Sequence, residues 1–515
     1  VAFPEVFMRD RAGFDAVVGN PPWDEPVVEE LEFWARHFPG LRALSAREKK
    51  SMVEDLRQHR PDLVEAYESE RAENDRLRRM LTCGVYPGMG TGDPDLYKGF
   101  THRFWALLSQ DGGVLGVVLP RSALSAKGSA EFRQVLFNHS PKINLTTILN
   151  NRKWFFTEIH PQYTIALLTV ATGDVPKHGA DVFLKGPYRD RGSFDHRFDQ
   201  EPAYFTGQQI QTWNDAAALP LLPSDQSPHV FAQLRKAPRL DANRPGEWRA
   251  IPIRELDATN DKPHMDLESP RCPEGYWPIY GGASFDLWTP DTGNYYAWGD
   301  PGKLLPHLDA KRRRARGMKV EMPPGWFQES NTLPCYHPRI AFRDVTNRTN
   351  TRTVVASLIP PNVFVTNKGP YLLWPRGDEL DQAYLLGILC SIPLDWYARR
   401  FVETNLNFFI FNPLPVPRPG RDNPLWRRVV EVSGRLAACG DRFADWARAV
   451  GVECGPLDED EKTDHIHELD ALSARLYGLR EYQLQHCFET FHEGWDFSER
   501  WAGVREHFRR LGRSS

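Results

Sequence analysis

The chain has 515 residues, 41% of them hydrophobic and 26% charged, and a formal net charge of −4; this is enough for about two to four domains with their own cores. No apolar run approaches the roughly 20 residues needed to cross a bilayer, and the N-terminus has no basic stretch leading into an apolar core, so no membrane association is expected and a cytoplasmic location is. The seven cysteines (Cys83, Cys272, Cys335, Cys390, Cys439, Cys454, Cys487) are scattered without a Cys-x-x-Cys pair, which argues against a metal site or a disulfide framework.

In chain order, Phe14–Gly19 reads as a short buried strand that runs into Asn20-Pro21-Pro22-Trp23. Ligands of open α/β sheets sit at such carboxyl ends of strands. The two prolines fix φ and lack N–H groups, so the Asn20 side chain and the Pro21 carbonyl project as acceptors from a stiff turn. Rigid acceptors suit an amine on an aromatic base, whose lone pair is delocalised into the ring. Acceptors on its hydrogens favour the tetrahedral, nucleophilic nitrogen without a strong base. Trp23 would lie against a base taken out of its duplex. Asn-Pro-Pro alone also fits a plain strand-ending turn; the strand before it and the aromatic after it favour the chemical reading.

Phe14 to Trp23 resembles motif IV of the amino-group DNA methyltransferases, with the pattern (Asp/Asn/Ser)-Pro-Pro-aromatic, of which the Asn form is typical of N6-adenine enzymes. Phe3-Pro4-Glu5-Val6-Phe7 resembles the segment before this motif in the large restriction-modification methylases. The resemblance implies S-adenosylmethionine (SAM) as methyl donor and adenine of double-stranded DNA as substrate, with Asn20, Pro21, Pro22 and Trp23 as the catalytic turn.

Residues from about 27 to 82 are charged and helical in pattern, an expected insertion. Val28, Leu31, Trp34 and Phe38 share one face before Pro39-Gly40, and Met52, Val53, Leu56 and then Leu63, Val64, Tyr67 mark two further helices. Gly88-Met89-Gly90-Thr91-Gly92 invites a reading as a cofactor loop, but Arg78–Thr82 before it is a poor strand and no acid stands at the end of a second strand. Asp93 instead reads as the cap of a helix with Pro94 at its first position and Tyr97, Phe100, Phe104, Leu107 and Leu108 on its buried face. Gly112-Gly113 turns into the strand Val114–Leu119, ending at Pro120. The order of Asp95-Leu96-Tyr97 through Phe104, Gly112-Gly113 and Val117–Pro120 resembles motifs V and VI of the same family. Trp154-Phe155-Phe156 precedes a strand over Tyr163–Val170. The family places here an aromatic that stacks on the flipped adenine; Phe156 is the candidate, Phe155 the next, and both also fit as core residues.

The family's glycine-rich SAM loop and its ribose-binding acid precede motif IV, and neither is recognisable in this sequence, so the cofactor-binding residues are not readable. A half sheet leaves an exposed edge that favours pairing. The expectation is that an N-terminal segment or a partner chain carries the SAM loop, and that this chain alone binds SAM weakly or not at all.

From about 173 to 275 the signals are diffuse. Trp277–Gly282 and Phe285-Asp286 then lead to the basic run Lys311, Arg312, Arg313, Arg314 and Arg316. Phosphate contact is the functional reading, since a DNA surface needs only local positive potential; a solvated helix face is the plain one. Arg339–Val345 and Val363–Val365 read as strands, and Asn405–Ile410 precedes Pro413-Leu414-Pro415-Val416-Pro417. These segments resemble the target-recognition region of adenine methyltransferases from restriction-modification and phage-defence systems. A tail helix carries Leu469, Leu472 and Leu476 and closes at Gly478; its His465 and His467 read as surface residues.

The expected architecture is thus α/β: the C-terminal part of a Rossmann-like SAM-dependent methyltransferase domain over 1–175, a linker or start of the recognition region over 176–275, a mixed α+β target-recognition domain over 276–420, and a helical tail over 421–515. The expected function is N6-adenine methylation at a specific DNA sequence, of the type IIG kind. A noncatalytic DNA-binding remnant and a methyltransferase acting on protein glutamine amides are the alternatives, the latter disfavoured by the long recognition region.

Overall fold

Six short apolar segments join in one mixed sheet in the computed structural model, which describes residues 3–158, 163–224, 226–314, 322, 325–327, 329–347 and 350–512. They are β1 (Ala16–Gly19), β2 (Val114–Pro120), β3 (Lys142–Leu149), β4 (Thr164–Ala171), β5 (Asp181–Tyr188) and β6 (Ala203–Thr206), in the spatial order β1-β2-β4-β3-β5-β6. β1 runs parallel to β2, with Ala16 opposite Val114 and Gly19 opposite Val117. β4 lies antiparallel between β2 and β3, β5 runs parallel to β3, and β6 closes the order antiparallel to β5. A parallel pair needs a long crossover. Between β1 and β2 it is supplied by α1 (Glu30–His37), α2 (Ala46–His59), α3 (Pro61–Thr82) and α4 (Leu96–Ala106).

The first three of these helices fall at 27–82, where helices are expected, with their own core of Phe33, Trp34, Leu41, Leu56, Leu63 and Tyr67. Ser45 caps α2 in a reciprocal box with Glu48. Met52, assigned to the apolar face, is exposed.

Three details of β1 and α4 differ from the sequence reading. β1 is not buried: it pairs only with β2 among the described residues, and Val18 is 86% exposed. Its apolar character belongs to an edge, since nothing among the described residues covers the outer face. α4 starts two residues later than Asp93-Pro94 suggests, after Asp95, and no side chain caps it. The Leu96 N–H donates instead to the Asp24 carbonyl at 3.0 Å, and buried Lys98 donates to the Asp93 carbonyl at 2.8 Å and pairs with Asp95 at 3.1 Å. Phe100, expected inside, is exposed beside Phe104.

The sheet continues past 175. β5 and β6 complete it, and the first compact unit spans Val1–Leu221. Its last segment is tied back by Arg133, on α5 (Ala130–His139), which is fully buried. Its guanidinium donates to the carbonyls of Ala123, Ala126, Ala216 and Ala217 at 2.5 to 3.1 Å, satisfying every side of a buried cation without a carboxylate.

The second unit, Leu222–Ser515, opens with α6 (Ser227–Leu234) and holds two four-stranded sheets and a set of C-terminal helices. One sheet has the order β13-β9-β10-β8, from β8 (Met265–Asp266), β9 (Trp277–Tyr280), β10 (Ala297–Gly299) and β13 (Phe364–Val365). The other has the order β12-β11-β14-β7, from β7 (Arg249–Ile253), β11 (Arg339–Phe342), β12 (Ala356–Ile359) and β14 (Tyr371–Arg376). β7 and β8 come from the stretch whose signals were diffuse: five and two residues respectively give too short a period to read. Between the small strands, Leu304 and Leu308 of α7 (Pro301–Arg314) pack with Ile279, Ala297 and Phe364.

The helical part begins before 421, with α8 (Glu379–Leu389), and continues through α9 (Pro424–Ala437), α10 (Glu459–Leu476), α11 (Glu481–Glu489) and α12 (Ser498–Leu511). α10 closes at Tyr477 with left-handed Gly478 following, as its sequence suggests. His465 and His467 are half-buried rather than on the surface; the His467 ring lies where a side chain at Gly503 of α12 would stand.

Candidate active site

The turn Asn20-Pro21-Pro22-Trp23 follows β1 at the carboxyl end of a parallel pair. It is held from both sides. The Trp23 indole Nε1–H donates to the Val118 carbonyl of β2 at 3.3 Å, and the Asp24 carbonyl accepts from the first residue of α4. Pro21 is buried, whereas Asn20 is exposed and its side chain makes no hydrogen bond among the described residues. An amide with open hydrogen-bonding capacity at a fixed turn is available to a ligand.

The lead-in packs on the same strand. Phe3 and Phe7 meet the Phe14 ring at 5.9 and 5.4 Å. Asp15 pairs with Arg9 at 2.9 Å and Arg11 at 3.4 Å, and the Arg9 hydrogen bond holds its carboxyl below the usual range.

Opposite the turn stands the loop after β3. The Phe156 ring lies 6.5 Å from the Trp23 ring at an interplanar angle of 79°, so the two residues expected to hold a base meet in space. Phe155 contacts Phe156 at 4.9 Å and Trp154 at 5.6 Å, and the Trp154 Nε1–H donates to the Leu149 carbonyl at 2.8 Å.

Sequence reasoning missed the residue that shapes this loop. Asn150 is fully buried. Its Oδ1 accepts from the Phe155 and Phe156 N–H groups at 3.2 and 3.0 Å, and its Nδ2 donates to the Phe156 carbonyl at 2.8 Å. The chain between them passes through two left-handed residues, Arg152 and Lys153, both at φ 57°, a conformation that costs energy away from glycine. An asparagine just after a strand and ahead of the aromatics was the one available signal.

The glycines at 88–92 serve packing. A Cβ on Gly90 would meet the Gly128 carbonyl oxygen at 2.6 Å, and one on Gly92 the Gly128 Cα at 2.6 Å. The loop's backbone therefore lies directly on another backbone segment, where only glycine fits. Among the described residues no group of His, Cys, Asp and Glu is arranged for a metal ion. No described helix is long and apolar enough to cross a membrane.

The basic run divides sharply. Arg312 points into the fold: it donates to Thr332 Oγ1 at 2.8 Å, Asp309 at 2.5 Å and the Glu329 carbonyl at 3.0 Å, over the Trp326 ring. Burial turns it away from the phosphate contacts expected of it, with Nη1 and Nη2 held by these partners and Nε–H enclosed without one. Lys311 donates to the Glu255 carbonyl at 2.7 Å and to Asp261 at 3.2 Å, and Arg313 pairs with Asp309 at 2.8 Å while remaining exposed. Arg314 is exposed at the end of α7; Arg316 lies outside the described residues.

No family model matches the chain, and no curated protein matches it. Among solved structures it is similar to the type IIL restriction-modification enzyme MmeI in complex with DNA, at 10% identity and a TM-score of 0.42 over 97% of this chain and 57% of that one. It is also similar to a nuclease-deletion mutant of the type ISP restriction-modification enzyme LlaGI in complex with a DNA substrate mimic (9% identity, TM-score 0.39, 82% of this chain and 35% of that one). A third is the type IIG restriction endonuclease BpuSI (14% identity, TM-score 0.29, 90% and 54%). The chain therefore spans 57%, 35% and 54% of the lengths of these three restriction-modification proteins.

Proposed function

We propose that this chain supplies the amine-holding side of an N6-adenine DNA methyltransferase of the restriction-modification kind. The observation that carries the reading is the meeting of Trp23 and Phe156 beside an exposed Asn20 at the end of β1. A base turned out of its duplex stacks on one of these rings. Its amine then donates one hydrogen bond each to Asn20 Oδ1 and the Pro21 carbonyl, which localises the lone pair on nitrogen for methyl transfer, after which the nitrogen sheds one proton and keeps the other hydrogen. Arg313 and Arg314 serve the phosphate backbone, and Arg312 holds the helix that carries them.

SAM is the donor in this reading, and the residues that cradle it belong to a further segment or partner chain. The unpaired side of β1 is the place for such a piece, because an exposed apolar edge accepts another strand. Recognition of a DNA sequence then falls to the second unit, with its two small sheets.

The test is Asn20→Ala in the assembly that contains the SAM-binding piece. Loss of one positioned polar group should lower the methylation rate by about 10²–10³-fold; unchanged adenine methylation would defeat the mechanism. Calorimetry of the isolated chain with SAM tests the division of labour separately. Strong binding would defeat it while leaving the amine site standing.

A further inference from the structure

Cations in the helical part of the second unit are mostly matched by carboxylates: Arg428 with Glu468, Arg421 with Asp378 and Asp381, Arg500 with Asp470, and Arg505 and Arg509 with Glu481. The pattern breaks around one cleft. A cleft of about 380 Å³ is walled by Lys236, Arg418, Asn423 and Arg475, and no carboxylate lines it. Pro417 and Pro419, on either side of Arg418, make that wall stiff.

Each of the three cations lacks full compensation. Lys236 is exposed and its Nζ donates to an amide oxygen, Gln233 Oε1, at 2.8 Å. Arg475 lies 3.6 Å over the Phe508 ring and donates through Nε and Nη2 to one carbonyl, that of Phe508, at 3.2 and 2.5 Å. Arg418, with a side chain only 3% exposed, pairs with Glu247 at 3.0 Å and donates to the Trp248 and Leu240 carbonyls, yet its Nε–H has no partner. Glu247 is also shared with Arg244 at 3.4 Å. Glu481, the carboxylate that acts on Arg475 from a distance, is held by Arg505 and Arg509. Asn423 spends its oxygen on the first N–H groups of α9.

Burial pulls the Arg418 and Arg475 guanidinium groups below the usual arginine range. Hydrogen bonds from Arg421 to Asp378 and from Arg428 to Glu468 push those two arginines the other way. Partly desolvated cations that outnumber their counter-charges, here three against the one shared Glu247, are costly, and a bound anion lowers that cost through charge-assisted hydrogen bonds.

We propose that this cleft between the ends of α10 and α9 binds a phosphate group, held by Lys236, Arg418 and Arg475. Its volume exceeds that of a bare phosphate ion and admits an attached sugar. The same chemistry is offered by the backbone diester of a nucleic acid and by a free nucleotide or phosphate ion.

Lys236→Gln, Arg475→Gln and the charge-keeping Arg475→Lys, each in the full chain, distinguish these sources. The first arm measures affinity for a DNA duplex against salt. The second measures the melting midpoint with added inorganic phosphate or ATP, against sodium chloride at equal ionic strength. For a backbone diester, each Gln variant lowers the slope of log K on log[salt] by about one, uniformly across DNA sequences, while Arg475→Lys keeps it. For a free anion, phosphate or ATP raises the wild-type midpoint, the Gln variants lose that rise, and their DNA affinity is unchanged. If neither arm separates wild type from the Gln variants, the proposal is overturned. A folded Lys236→Gln protein is expected in every case, since that side chain is exposed.

Discussion

Replacing Asn150 by alanine removes three hydrogen bonds at once from the loop that carries Phe156. A net value of about 1 kcal/mol per bond, with neighbouring groups only half-buried and open to replacement water, gives about 3 kcal/mol of lost local order. Since 1.4 kcal/mol corresponds to about a factor of ten, amide exchange of Phe155 and Phe156 should accelerate on the order of 100-fold. Hydrogen exchange read by mass spectrometry on the peptide covering Asn150–Glu158 measures this, with Lys153→Ala as a control on an exposed side chain of the same turn. Under the proposed function the same substitution should also slow adenine methylation, because Phe156 no longer has a fixed place opposite Trp23. Unchanged protection of the two amides in Asn150→Ala would refute the assignment of the loop's shape to this side chain.

Gly92→Ala places a methyl group 2.6 Å from the Gly128 Cα and should cost about 1–3 kcal/mol by urea unfolding; an unshifted midpoint would show that the two segments part easily. Arg312→Gln should lower stability and Arg314→Gln should not. In DNA binding the Arg314 variant alone should lose about one unit of salt slope, and equal salt slopes in the two variants would contradict the division of the basic run. Glu481 is held below its ordinary pKa, chiefly by Arg509 and then Arg505. A depressed carboxyl contributes stability above its unfolded pKa and loses it as pH falls through the folded value. The wild type should thus exceed Glu481→Gln by less than about 1 kcal/mol at pH 7, given the exposure of the arginines. That gap should close below about pH 4, the carboxyl range, and a gap that widens on acidification would reverse the assignment.

The parts of this chain that are legible in sequence are those whose chemistry is local. Val114–Pro120 and Thr164–Ala171 are apolar runs bounded by turns, and the insertion helices show a regular apolar face. β3 escapes the same reading because Asn144, Thr146 and Thr147 interrupt it, although Thr147 is buried. The start of α4 depends on the Asp24 carbonyl, 72 residues away by position, so Asp93-Pro94 outcompetes it on paper. Asn20-Pro21-Pro22-Trp23 and Phe156 are individually conspicuous, but only the sheet order brings them within 6.5 Å. A run of like charges gives no sign of which member turns inward. Arg312 does so because Asp309, Trp326 and Thr332 surround it.

The carbonyl-only clasp of Arg133 also determines where this protein can be cut. Severing the chain near 175 would discard two strands and also the Ala216 and Ala217 acceptors, stranding a positive charge inside what is left. A fragment meant to keep the Asn20-Pro21-Pro22-Trp23 turn in its native sheet will therefore need the segment up to Leu221, for a guanidinium that lies away from that turn.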